Sequence, residues 1–219
     1  MAVWEKIRRA QKEVSPGRAA LYTGLVLLLG VGLGLFAKYL DYRQGALPAL
    51  LEALDEALDL HNFLGRFSPW ALIALCLAVY SRSALRAAVH VFVFFAGAVA
   101  GYYLYSKLVA GFFPASYAMI WVGFTLLSPL PAVVCWYAKG SGRVSLLLSS
   151  LLLAAFFNMT FAWGWGYLDL RSILELAALA GALAVLRRGR WRDTLLMAAL
   201  GAALAPALDG VLPYWLQLW

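Results

Sequence analysis

Apolar runs broken by short polar punctuation dominate the chain, and seven of them are long enough to matter. They cover about residues 19–40, 68–81, 86–106, 116–137, 144–163, 171–186 and 193–217. A helix that crosses a bilayer takes roughly 20 mostly apolar residues. The pattern therefore predicts an all-α, polytopic transmembrane helix bundle of about seven spans. The second run is short, held between Pro69 and Ser81-Arg82-Ser83. The last is interrupted by Pro206 and Asp209-Gly210, which predicts a kink or a break.

A different pattern occupies residues 46–60. Leu47, Leu50, Leu51, Leu54 and Leu58 recur at helical spacing, while Glu52, Asp55, Glu56 and Asp59 take other positions. That periodicity predicts an amphipathic helix. Its acidic polar face is unsuited to anionic headgroups, so it is expected to pack over the bundle ends as a structural cap, with a lid as the other reading.

Composition agrees with lipid as the solvent. Of 219 residues 64% are hydrophobic and 13% charged, with a mean hydropathy of +0.79. Soluble domains run near 45–50% apolar and about 25% charged. Residues 1–18 form a basic arm without the cleavage pattern of a signal peptide. Residues 19–219 are expected to form one membrane domain.

Lysine and arginine set the orientation. With the N-terminus inside, the cytoplasmic set is Lys6, Arg8, Arg9, Lys12, Arg18, Arg82, Arg86, Lys139, Arg143, Arg187, Arg188, Arg190 and Arg192, thirteen of eighteen basic residues. An odd number of spans then places the C-terminus outside and the acidic helix on the outer face. Topology also accounts for the net charge of +7, because anionic lipid favours basic residues on that side. No nucleic-acid-binding motif accompanies the charge.

Polar groups at membrane depth are costly and draw attention first. Asn158 lies deep in the fifth run, its amide in need of partners, either a neighbouring helix or a cavity. Trp163, Trp165 and Tyr167 follow where that run reaches the outer interface; they either line a site or mark the headgroup level, where aromatic rings gather anyway. Asp209 follows Pro206, and a helix broken there would free backbone groups to line a cavity; the plainer reading sets it in interfacial water. His90, one turn into the third run, is a titratable ligand or an interfacial hydrogen-bonding group. Lys38 and Asp41 read as an interfacial pair, and Ser172 with Glu175 as a capping box that starts the sixth run. Cys76 and Cys135 sit in apolar runs as small hydrophobes.

Small residues allow close helix packing in lipid. Gly30 with Gly34, Gly97 with Gly101, and Ala177 with Gly181 provide three such pairs. They serve packing within the chain or, alternatively, a seam for a membrane partner or a second copy. Signatures of zinc hydrolysis, a nucleophile elbow or a phosphate loop are absent, as are metal-ligand spacings and cofactor motifs. No reaction can be assembled from these residues.

The stretches FLGRFSPWALIALCLAVYSRSALRAAVHVFVFFAGAVAGYYLY and PASYAMIWVGFTLLSPLPAVVCWYAKGSG resemble a family of bacterial integral membrane proteins of no assigned activity, over roughly residues 30–185. The resemblance implies a multi-pass protein of the bacterial cytoplasmic membrane and carries no functional residue across. In size the chain is also similar to the substrate-binding components of energy-coupling-factor transporters, a likeness of shape. Two functions are expected from different classes. One is binding or transport of a small or amphipathic solute from the outer face, through a cavity reaching Asn158 and the aromatics. The other is a scaffold or accessory subunit, filled there and joined to partners through its glycine faces.

Overall fold

A computed structural model describes residues 3–12, 14–164 and 166–209. Trp165 and the last part of the seventh run, from 210 on, lie outside the described residues. Helix dominates, as the periodicity predicts. After α1 (Val3–Ile7) and a stretch without regular structure come α2 (Pro16–Tyr42), α3 (Ala49–Leu58) and α4 (Leu60–Gly65). The remainder comprises α5 (Ser68–Tyr80), α6 (Ala84–Leu108), α7 (Ala115–Leu127), α8 (Pro129–Ala138), α9 (Gly142–Thr160), α10 (Ile173–Leu186) and α11 (Trp191–Asp209).

Three helices, α2, α6 and α9, are long and apolar enough to cross a membrane, and α7 with α8 add a fourth if that pair is one span. The pair is bent by 46° where the sequence predicted a single helix over 116–137. Pro129 and Pro131 explain it, since neither donates a backbone hydrogen bond. The Ser128 hydroxyl donates to the Thr125 carbonyl at 2.8 Å across the bend. The apolar helices α5 and α10 are shorter, at 13 and 14 residues.

Between the fifth and sixth runs the chain departs from helix. Phe161–Gly164 (β1) and Tyr167–Leu170 (β2) pair antiparallel, with Phe161 opposite Leu170 and Gly164 opposite Tyr167. Gly166, which enters β2, takes φ +80°, a conformation natural to glycine. Residues 161–163, expected as the end of the fifth helical run, are therefore strand, and the stretch between the fifth and sixth runs is paired rather than irregular.

Helix ends gather at two poles. At the basic pole the N-terminal arm crosses the ends of α5 and α8. Arg8 donates to the carbonyls of Val79 at 2.8 Å and Trp136 at 2.7 Å, and its guanidinium stands 4.5 Å from the Trp136 ring centroid. Those carbonyls belong to helix C-termini, where a cation is favoured. Lys139, just past α8, donates to Val185 and Arg187 carbonyls at the end of α10. Arg188, just past α10, donates to the carbonyls of Ala138 and Gly140 and to the hydroxyls of Ser145 and Ser149. The two helices thus cap each other. At the opposite pole stand α3, α4 and the hairpin.

Two apolar clusters share α5. Ala37, Trp70, Ala78, Phe94 and Trp136 belong to the first; Leu75, Val79, Phe156, Leu179 and Met197 to the second. Along α5 only Tyr80 is exposed, so this short helix is surrounded by protein. In contrast Leu21, Leu25 and Leu28 of α2, with Met119 and Leu126 of α7, form an exposed apolar belt. Patches this large on a soluble monomer are rare.

The glycine pairs face each other inside the chain. A Cβ at Gly30 or Gly34 would meet the backbone of Phe94 and Ala98, and one at Gly97 or Gly101 the backbone of Leu27 and Val31. α2 and α6 therefore touch backbone to backbone.

Candidate functional site

The amphipathic segment folds as two helices because Asp59 turns between them with φ 56°. The Asp55 carboxylate crosses that turn, accepting from the His61 backbone N–H at 2.7 Å and lying 2.8 Å from His61 Nδ1. Glu52 accepts from the Leu47 N–H at 2.9 Å, and Asp59 from the Asn62 side chain at 2.6 Å. Much of the acidic face is thus engaged in holding the cap in shape. α4 is tied to the bundle by Trp70, whose indole N–H donates to the Leu64 carbonyl at 2.9 Å.

Beneath α4 lies a cavity of about 70 Å³. Leu64 and Gly65 roof it, and Trp70 of α5 and Phe95, Ala98, Val99, Tyr102 and Tyr103 of α6 line it with Tyr117 and Trp121 of α7. The last two sit one turn apart on one helix face, which is why both reach the same space. Their rings meet edge to face at 6.4 Å between centroids, and those of Tyr102 and Tyr103 at 5.2 Å.

The polar groups on this wall differ in one respect. The Tyr102 hydroxyl donates to Asp41 at 3.4 Å, and Asp41 is paired with Lys38. Lys38 also stands 5.2 Å from the Tyr102 ring centroid and 4.9 Å from that of Phe112, within cation–π range. The Tyr103 hydroxyl is buried and finds no hydrogen-bond partner among the described residues. A buried hydroxyl left unpaired costs about 1–3 kcal/mol. The site is thus an aromatic box with one unspent hydroxyl.

The residues that the sequence singled out are divided between the poles. Asn158, 8% exposed, donates to the Ala205 carbonyl of α11 at 2.9 Å. Its carbonyl oxygen accepts from the Trp163 indole N–H, also at 2.9 Å. Both ends of the amide therefore find partners, joining α9, α11 and β1. Tyr167 is 54% exposed on β2. Asp209 is the last described residue of α11, and Pro206 lies inside that helix. Trp165 lies outside the described residues. His90 stands at the basic pole, its Nδ1 3.1 Å from the Ser81 hydroxyl. Because that hydroxyl gives its proton to the Leu77 carbonyl at 2.7 Å, Nδ1 is the donor to serine.

Glu175 also gains a role the capping box did not foretell. The Ser172 hydroxyl does accept from the Glu175 N–H, at 3.2 Å. Its carboxylate, however, is 1% exposed as a residue and faces Arg66 at 3.8 Å. The aromatic box was missed because its members are scattered from 64 to 121. The one local signal was Tyr117 with Trp121. Among the described residues no three His, Cys, Asp or Glu side chains gather to hold a metal ion. No protein-family model, curated protein or solved structure matches the chain.

Proposed function

We propose that this protein is a seven-span component of the bacterial cytoplasmic membrane, basic pole inside, which binds a small apolar or amphipathic solute in the aromatic box from the outer side. The carrying observation is the Tyr103 hydroxyl, buried without a partner in a cavity walled by aromatic rings. The lining, mostly apolar with few convergent polar groups, has the usual form of a small-molecule site, while its 70 Å³ is well below the roughly 300–1,000 Å³ of such sites, so the solute enters as the walls open or presents only a small group to the box. The ring faces take apolar surface, and the hydroxyl takes a hydrogen-bond acceptor on the solute. α4 closes the outer mouth, which gives the amphipathic segment the function of a lid as well as a cap. In this reading the chain works as a solute-binding subunit, in keeping with its transporter-like size.

Alternation of the helix ends supports the topology. α2, α5, α6, the bent pair, α9, α10 and α11 run alternately between the poles, and basic residues from the arm, the α5–α6 turn, the α8–α9 turn and the α10–α11 turn meet at one. α5 and α10 fall below the usual span length, but α5 has protein on every side. The accessory-subunit reading has one surface of its own, a shallow apolar groove of Ile120, Gly123, Phe124 and Leu127 on α7.

Native mass spectrometry of the protein purified in mild detergent tests the binding. The wild type is expected to retain a small molecule that Val99→Trp, which fills the box, releases. Tyr103→Phe keeps the shape, removes the hydroxyl and weakens retention about 5- to 100-fold, the worth of one unpaired buried group. A wild type without bound mass, or a Val99→Trp variant with the same bound mass, refutes the reading. In a background without Cys76 and Cys135, a cysteine at Ser116 should label from outside and one at Ser141 from inside. The reverse overturns the orientation.

A further inference from the structure

The aromatic box is walled by six rings, those of Trp70, Phe95, Tyr102, Tyr103, Tyr117 and Trp121, and among the described residues that line it none is charged. Its 70 Å³ is under half the roughly 150 Å³ of a cavity that holds benzene, so a compact head group fits and a ring does not. The planes of Tyr102 and Tyr103 are turned by 71°, and those of Tyr117 and Trp121 by 73°. Within each pair one ring therefore offers a face where the other offers an edge. Ring faces carry the negative part of the quadrupole and attract cations. The chain already uses this surface in that way, with the Lys38 ammonium 5.2 Å from the Tyr102 ring centroid. Lys38 is itself neutralised by Asp41, to which Tyr102 also donates.

We infer that the box takes the quaternary ammonium head of a choline-like solute, with the Tyr103 hydroxyl donating to an oxygen placed a few bonds from the nitrogen. The inference rests on the solute-binding reading and names the small group that enters. A primary ammonium would bring three N–H donors to a wall where acceptors are scarce, since the Leu64 carbonyl is engaged by the Trp70 indole. A quaternary nitrogen has no N–H to satisfy. Its charge is spread over methyl groups, which aromatic faces accept both as apolar surface and as cation. A neutral head of the same shape gains only the apolar contact. The oxygen follows from Tyr103, which is 7% exposed and whose hydroxyl has no hydrogen-bond partner among the described residues. Free choline and the head group of phosphatidylcholine share this chemistry.

Isothermal titration calorimetry of the full chain in maltoside detergent tests it, with choline, ethanolamine and tert-butylethanol, the neutral carbon analogue of choline. Choline is expected to bind roughly thirtyfold tighter than tert-butylethanol, the worth of a desolvated cation–π contact, and tighter than ethanolamine. Tyr103→Phe should weaken choline and tert-butylethanol alike, since both carry the same hydroxyl, and leave their ratio. Trp121→Leu and Tyr117→Leu each remove a ring and keep an apolar wall, and in either the ratio should fall by about threefold or more. A ratio taken within one variant is not imitated by lost stability. Dihexanoylphosphatidylcholine that competes with choline assigns the head group to a lipid, and failure to compete assigns it to a free solute; either result supports the shared chemistry. Equal binding of choline and tert-butylethanol, tighter binding of ethanolamine, or an unchanged ratio in both leucine variants would overturn the inference and leave a box that binds solute. Failure of all three probes overturns it too. A mass that the wild type retains and Val99→Trp releases then keeps the solute-binding reading, and its absence ends both.

Discussion

Gly32 and Gly34 lie two residues apart on α2, and replacing each by alanine should shift stability in opposite directions. At Gly34 an added Cβ would stand 2.8 Å from the Ala98 carbonyl carbon and 3.0 Å from its Cα. Relaxed carbon contacts lie near 3.5–4.0 Å, so the two helices must separate by something approaching 1 Å. The obstructing atoms are backbone and cannot rotate aside. Overpacking of this kind costs typically 1–3 kcal/mol. Opening the seam also weakens contacts at Gly30, Gly97 and Gly101, because a gap of 0.5–1 Å forfeits a quarter to a half of each dispersion well. Against this, alanine gains about 1 kcal/mol of intrinsic helix propensity over glycine. The expected balance at Gly34 is a loss of about 1–2 kcal/mol. At Gly32 nothing lies within 4 Å of the added Cβ, so only the propensity gain remains, up to about 1 kcal/mol. Equilibrium unfolding of both variants in one detergent, followed by tryptophan fluorescence, should separate them by about 2–3 kcal/mol. The Gly30→Ala/Gly34→Ala double variant should lose less than the sum of its parts, since one separation relieves both clashes. The same sign and size of change at Gly32 and Gly34 would refute the backbone contact as the basis of this helix pair.

Three further outcomes follow from the polar locks. Asn158→Leu removes the hydrogen bond to Ala205 of α11 and the one from the Trp163 indole of β1 and should cost about 1–3 kcal/mol, with a change in Trp163 emission. An unchanged unfolding curve would mean that the amide does not join α9 to α11. Arg188→Gln withdraws the charge from the Ala138 carbonyl at the end of α8, the Gly140 carbonyl in the following turn and two serine hydroxyls, and should cost about 2–4 kcal/mol; a loss equal to that of the exposed Arg190→Gln would contradict its capping role. Lys139 offers a pH test. Burial first, and then the neighbouring Arg188, Arg187 and Arg8, push its pKa below the ordinary 10.5. Between the lowered folded value and 10.5 the unfolded chain binds the extra proton, so stability should rise with pH through that window. Lys139→Met should flatten the rise, and an equal slope in both proteins would count against the depressed ammonium.

How far the sequence reaches depends on whether a feature is local. The run boundaries rest on hydropathy alone, so α2, α6 and α9 fall close to their expected places. The break between α7 and α8 was visible in Pro129 and Pro131, but an apolar run read as one span concealed it. The hairpin was concealed differently: four-residue strands give too few positions for an alternation to register, and the aromatic residues matched an interfacial belt equally well. Asn158 drew attention for a sound reason, the cost of an unpaired amide in lipid, and that same cost explains why the fold gives it two partners. Glu175 and Tyr103 show the opposite failure. Their neighbours Arg66 and Tyr117 are distant in sequence, and no spacing rule links them.

The two poles are built to different ends, and α5 explains why both are needed. At 13 residues it is about 20 Å long, short of the hydrocarbon core. In the proposed topology its termini would therefore expose unpaired backbone groups at a depth where water is scarce. At the C-terminal end Arg8 supplies donors to Val79, and Trp136 donates to the Ser81 carbonyl at 2.9 Å. At the N-terminal end Pro69 removes one donor outright, and α4 packs over the rest through Trp70 and Leu64. Closing the basic pole requires fixed cations, which hold that pole rigid and leave arginines along its edge. Closing the other requires a short helix tied to α5 by the Trp70 indole and, through Arg66 just past its end, to Glu175 of α10, reached by a left-handed turn at Asp59. The two ends of α5 are thus closed by different means, a fixed cation on helix carbonyls at one and a packed helix with a buried ion pair beside it at the other, so loss of Arg8 and loss of Trp70 should disturb opposite poles.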